Sequence, residues 1–171
     1  MLSDKIIFMN VFELIKSRYS VRKYKKKDIP NADLDKILET ARMAPSAHNS
    51  QNYKIVVVKD QEKKDLLAQI TKMSFIAQAP VILVGIALDP SSEYWPVDMA
   101  IFFDHVSLAA VELGLGTCWV GSIKDEIKIR KIIDAPQSSK AMIVMPLGYP
   151  DHKALPKTRK SFEQLYSFEK F

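Results

Sequence analysis

The longest run of apolar positions, residues 97–113 (VDMAIFFDHVSLAAVEL), has helical length, yet its apolar residues occupy nearly every face rather than one stripe. A helix of that kind is buried on all sides. A small chain rarely surrounds a helix completely by itself, so one flank is expected to meet a second copy of the protein. Gly114 follows where a left-handed C-terminal cap would fall. Leu115-Gly116-Thr117 then leads into Cys118-Trp119-Val120, a short apolar run predicted as a strand.

The rest of the chain shows shorter signals. Asn10 predicts the cap of a first helix over 11–18, with Glu13 as the second half of a capping box. Asn31 predicts the cap of a second helix, in which Leu34, Ile37, Leu38 and Ala41 share a face. It is expected to end at Ala44, because Pro45 disfavours helical geometry in the residue before it. Leu66, Leu67, Ile70 and Met73 mark another amphipathic helix, and 125–133 a short one with Ile129, Ile132 and Ile133 inward. Residues 53–59, 81–88 and 141–147 read as core strands. The segment 151–171 carries Leu155, Phe162, Leu165, Tyr166, Phe168 and Phe171, which need a surface to cover, on the parent domain or on a partner copy. No internal repeat or low-complexity segment interrupts this order.

With 171 residues, 47% of them hydrophobic, the chain has material for one core, and a single domain over 1–171 is expected. No membrane partner is expected, since the central helix carries Asp98, Asp104 and Glu112 and no uncharged apolar run approaches the roughly 18 residues of a span. The opening MLSDKIIFMN has no basic n-region or small-residue cleavage site, and the lone Cys118 excludes an internal disulfide. A cytoplasmic location is expected. His48, His105 and His152 lie far apart without metal-ligand spacing, so no metal site is predicted. The net charge of +5 invites a nucleic-acid partner, but the basic residues are interspersed among twenty acidic ones. The densest basic run, 22–27, reads as a solvated edge, and a basic nucleic-acid module ranks last.

Three stretches are candidates for chemistry. If 18–22 is extended, Arg18, Ser20 and Arg22 project from one side while Tyr19 and Val21 face the core. Two guanidinium groups flanking a hydroxyl suit a phosphate or an electron-rich carbonyl; the same pattern also fits a polar strand edge. The loop 44–51 is small and polar, able to approach a flat ligand closely or simply to connect helix and strand. Lys157-Thr158-Arg159 is a second cationic pair or part of a solvated basic tail.

Taken in order, Arg18-Tyr19-Ser20-Val21-Arg22, Ala44-Pro45-Ser46-Ala47-His48-Asn49-Ser50-Gln51, Leu113-Gly114-Leu115-Gly116-Thr117-Cys118-Trp119-Val120-Gly121 and Leu155-Pro156-Lys157-Thr158-Arg159 resemble the FMN-dependent nitroreductase family, in a short-chain form. The resemblance covers residues 11–165. It implies an α+β nitroreductase-like fold, a mainly antiparallel mixed sheet flanked by helices, in an intertwined homodimer whose 151–171 tails embrace the partner. FMN would lie at the dimer interface. Arg18, Tyr19, Ser20 and Arg22 would bind its phosphate, ribityl chain and pyrimidine edge, with Lys157 and Arg159 completing the phosphate site. Pro45, Ser46, Ala47 and Asn49 would come from the partner, and Trp119, Val120, Gly121 and Ser122 would lie along the ring. Asn52 departs from the proline often found before the aromatic residue in this family.

The activity so implied is NAD(P)H oxidation coupled to reduction of small electron-poor acceptors, nitroaromatics or quinones, by alternating substrates at one site. NADH or NADPH would visit transiently, and no side chain need act as nucleophile or general base, since placing the reactants suffices. Two other expectations share the same cofactor residues: a flavin-binding sensor without turnover, and a redirected flavin enzyme for flavin fragmentation or reductive dehalogenation.

Overall fold

The computed structural model describes residues 10–121, 123–155 and 157–171. Helix α1 (Val11–Ser17) is capped by Asn10, whose side-chain oxygen accepts the Glu13 amide at 3.1 Å. Glu13 turns its own side chain to Lys16 rather than back to the cap, so only half of the expected box forms. The chain leaves helical geometry at Arg18, which is already extended.

Helix α2 (Asn31–Arg42) buries Leu34, Ile37 and Ala41 as their spacing predicts. Asn31 is not its cap: Pro30 holds that position without a side-chain bond, and the Asn31 side chain accepts from Lys59 Nζ at 3.0 Å. The helix also stops at Arg42, short of Ala44.

Four strands form one antiparallel sheet in the order β1-β2-β4-β3. They are β1 (Tyr53–Val58), β2 (Val81–Ala87), β3 (Gly116–Thr117) and β4 (Lys140–Gly148). The predicted core strand at 53–59 is therefore an edge strand, mostly half-exposed. The predicted strand at 118–120 is displaced as well. Pairing with β4 ends at Thr117, and only Val120 returns to the sheet, exchanging both backbone hydrogen bonds with Val144 at 3.1 and 3.0 Å.

Alternation along β2 and β4 divides the core in two. Val81, Leu83, Ile143, Met145 and Leu147 face α2 and the long helix α4 (Trp95–Glu112). Ile82, Val84, Ile86 and Val144 face α3 (Gln61–Thr71) and α5 (Glu126–Ile132). A register shift between Gly85 and Ile86 keeps both faces apolar across the irregularity. In α3 Leu67 is fully buried whereas Leu66 is largely exposed, so the inward face is narrower than the sequence suggested.

Within one chain α4 buries a single stripe, Asp98, Met99, Phe102, Phe103, Val106, Ser107 and Ala110. Gly85 lets this stripe sit directly on the sheet, since a Cβ there would meet Met99 Sδ and Phe103 Cε2 at 2.6 Å. The opposite side leaves Val97 58% exposed and Ile101, Leu108 and Ala109 only partly covered, so the all-round burial expected of this helix is not achieved within the chain. Helix α1 buries nothing, and Val11, Phe12 and Ile15 remain exposed. The tail forms one short helix, α6 (Phe162–Leu165), and every described residue of 151–171 is exposed. The parent domain therefore leaves the tail's apolar groups uncovered in one chain. Among the described residues no helix is long and apolar enough to cross a membrane.

Candidate active site

The segment 18–22 is pinned in extended form against the end of the sheet. Val21 donates its amide to Thr117 O at 2.9 Å, and Ser20 makes a parallel bridge with Thr117. Val21 is completely buried, and its side chain presses against the bare Cα of Gly116, where a Cβ would overlap it. Tyr24 locks the next turn: its buried hydroxyl donates to Val21 O at 2.9 Å, and burial pushes its ionisation far up. Tyr19 is less enclosed than its predicted core position suggested. It donates its hydroxyl to His152 O at 2.8 Å and packs edge-on to that imidazole.

This geometry brings the two ends of the chain together. Arg18, Tyr19, Lys157 and Arg159, with Leu155, line one open groove of about 560 Å³. Tyr19, Ser20, Arg22, His152, Leu155 and Lys157 line a second that shares its wall. Among the described residues no carboxylate lines either groove. Lys157 donates to Arg18 O and lies 5.8 Å above the Tyr19 ring. Although the residue is exposed, its ammonium is held below the usual lysine range, first by partial desolvation and then by the nearby Arg18 and Arg159 cations.

His152 was not foreseen as part of this site. Its Nε2 accepts the Arg22 amide at 3.3 Å while Nδ1 faces Lys153 O at 3.0 Å, which fixes the tautomer protonated on Nδ1. Cys118 lies beneath the same groups, 3% exposed; burial pushes its thiol up, against the opposing pull of Arg22, Ser20 and Arg18.

The remaining candidates stand elsewhere. Trp119 lines a shallow groove along the outer side of α4 with Val97, Ala100 and Ile101. Its indole donates at 3.0 Å to Ser107 Oγ, which also accepts from Thr117 Oγ1 at 3.1 Å. Val120 is buried with its side chain in the core, and its amide and carbonyl already bond Val144. Gly121 is exposed, with nothing within 4 Å of an added Cβ. Ser122 lies outside the described residues.

Pro45, Ser46, Ala47 and Asn49 line neither cationic groove of their own chain. Their loop contains a 3-10 turn, Ala47–Asn49, with positive φ at His48, Asn49 and Gln51. The Ala47 amide donates to Asp98 Oδ1 at 2.9 Å and the Ser46 hydroxyl accepts the Gln51 amide at 3.0 Å. Asn52, where a proline was noted as usual, closes the sheet edge by bonding Asp89 through both amide atoms at 2.6 and 2.9 Å. A proline could make neither bond.

Convergent cations with no carboxylate counterion among the described residues, beside an aromatic wall, suit a phosphorylated ligand. A phosphate would relieve the mutual repulsion of Arg18, Lys157 and Arg159, so the donor set fits the phosphate of FMN. The antiparallel sheet between two helical layers, with a cationic groove at the 18–22 edge, defines an α+β protein of the nitroreductase fold. The family model described as "Nitroreductase family" matches residues 15–78 and 71–149. A putative NADH dehydrogenase/NAD(P)H nitroreductase of Methanothermobacter thermautotrophicus is 32% identical over 95% of this chain and 87% of its own. Among solved structures, an FMN-dependent nitroreductase from Clostridium difficile superposes with a TM-score of 0.87 at 30% identity, covering 94% of this chain and all of that one. A putative NADH dehydrogenase/NAD(P)H nitroreductase from Bacteroides thetaiotaomicron gives 0.86 at 26% identity, over 94% and 97%. The chain belongs to the nitroreductase family and is an oxidoreductase of that class.

Proposed function

We propose that this protein is a homodimeric, FMN-binding NAD(P)H oxidoreductase that reduces small electron-poor acceptors such as nitroaromatics and quinones. The observation that carries it is the uncompensated cationic groove, assembled from Arg18 near one end of the chain and Lys157 and Arg159 near the other. Bound FMN would supply two-electron redox chemistry, taking electrons from the nicotinamide and giving them to the acceptor. Arg18, Lys157 and Arg159 would hold its phosphate, Tyr19 and Ser20 its ribityl chain, and Arg22 its pyrimidine edge. A guanidinium at that edge favours extra negative charge on the ring. The exposed backbone at Gly121, with Trp119 and Val120 before it and Ser122 after it, would lie along the ring.

Two observations support a second copy completing the site. Apolar residues on α1, on the outer side of α4 and on the tail are left without cover in one chain. The 45–49 loop lies off its own chain's grooves, so Pro45, Ser46, Ala47 and Asn49 would serve the partner's ring. NADH or NADPH would bind in turn with the acceptor against the same open face. Purified protein reconstituted with FMN should be yellow and should bleach on anaerobic addition of NADH or NADPH. Protein that takes up no FMN would overturn the proposal; a bound flavin that neither nicotinamide reduces would make it a binding protein instead.

A further inference from the structure

Asp98 is 4% exposed and forms no ion pair among the described residues. It sits in the first turn of α4, where unpaired amides and the helix dipole favour a negative charge. Both its side-chain partners lie on the loop after α2: the Ala47 amide at 2.9 Å and the Ser50 hydroxyl at 3.5 Å. That loop is held away from its relaxed shape, since His48, Asn49 and Gln51 take φ of 54°, 53° and 47° without being glycine. The other side-chain hydrogen bonds of the loop, from Gln51 to Ser46 and to Asn49, stay within it. Among the described residues the carboxylate is thus the side-chain hydrogen-bond tie between this loop and α4, beside the backbone bonds at the loop's two ends and the edge contact of His48 with Tyr94.

We propose that Asp98 is the positioning residue of the site, fixing the 45–49 loop in the left-handed shape by which one subunit covers the flavin ring held by its partner. This rests on the flavin reading given above. Holding the loop in its bound shape removes an ordering cost from cofactor binding. Asp98 is buried and lines neither cationic groove, so its effect would run through Ala47 and Ser50.

The test compares Asp98→Ala and Asp98→Asn with the parent protein, by amide hydrogen exchange without FMN and by fluorescence titration with FMN. Asp98→Ala should speed exchange of the Ala47 amide at least about ten-fold and raise the FMN dissociation constant by about ten-fold. Asp98→Asn keeps an acceptor for the Ala47 amide and should recover most of that affinity. Leu67→Ala, on the opposite face of the sheet, should lower Tm without moving FMN affinity, which separates positioning from general destabilisation. Should Asp98→Ala not fold, Asp98→Asn alone must speed Ala47 exchange and weaken FMN by roughly three-fold, because a neutral acceptor holds an amide less strongly. Parent protein that binds FMN with variants that bind it equally well overturns this inference only. Parent protein that takes up no FMN overturns the flavin reading and this inference with it.

Discussion

The ammonium of Lys157 donates to the backbone carbonyl of Arg18, 139 residues earlier in the chain. That bond ties the cationic tail to the 18–22 segment and sets Arg159 into the same groove. Arg159→Ala should therefore weaken FMN by about ten-fold, the scale of one charge-assisted contact to phosphate. Riboflavin, which lacks the phosphate, should bind the variant and the parent equally. Parallel fluorescence titrations of the two flavins check this, and an equal loss for both would place Arg159 elsewhere on the ligand.

Gly116 is the floor on which Val21 rests, and Val21 aligns Arg18, Ser20 and Arg22. Gly116→Ala should push the 18–22 segment off the end of β3. The expected result is a destabilisation of roughly 1–3 kcal/mol, typical of overpacking, together with weaker FMN binding. Thermal melts and flavin titrations of the one variant give both numbers.

Ser107 lies fully buried in α4 and accepts hydrogen bonds from Thr117 and from the Trp119 indole. Ser107→Ala would orphan both donors, costing roughly 1–3 kcal/mol for each that stays buried. Trp119, released from its tie, should shift its emission toward the red as it meets water. An unchanged spectrum with lowered Tm would mean that the indole is held by packing alone.

Glu126 pairs with Arg130 at 2.8 Å, and that bond, more than any other influence, draws its carboxyl below the ordinary value of 4.5. Between the lowered and the ordinary value the unfolded chain binds more protons, so stability rises with pH there. The contribution is complete above 4.5 and is lost as pH falls through the lowered folded value. Glu126→Gln should lower Tm at neutral pH and flatten its decline in acid, measured by thermal melts across the acid range.

The apolar tail and the outer side of α4 predict a dimer in solution. Removing residues 162–171 deletes Phe162, Leu165, Tyr166, Phe168 and Phe171, all exposed, while keeping Lys157 and Arg159. Light scattering should show a weakened dimer. A monomeric full-length protein would show that the tail covers nothing on a second copy.

Local pattern revealed much of this fold because apolar spacing is a local signal. The stripe Leu34, Ile37 and Ala41 and the run at 81–88 each became the expected element. Asn31 is not the cap because the helix already begins at it, with Pro30 in the cap position, and its side chain instead accepts from a lysine 28 residues away. The strand expected at 118–120 is reduced to a single bridge at Val120, because Pro146, opposite Cys118 in the register set by Thr117 and Leu147, has no amide to give the ladder. In the site, the Arg18-x-Ser20-x-Arg22 spacing is visible in the sequence, but the contacts of Asp98 and His152 are not. Their partners are 51 and 130 residues distant, and nothing near either residue marks it.

Because the proposed phosphate groove joins positions 139 residues apart, a growing chain would lack that groove until Lys157 and Arg159 are made. Every helix of the core and all four strands are synthesised before Lys157 and Arg159. On the proposed reading, cofactor loading would follow the synthesis of the whole sheet and its helices.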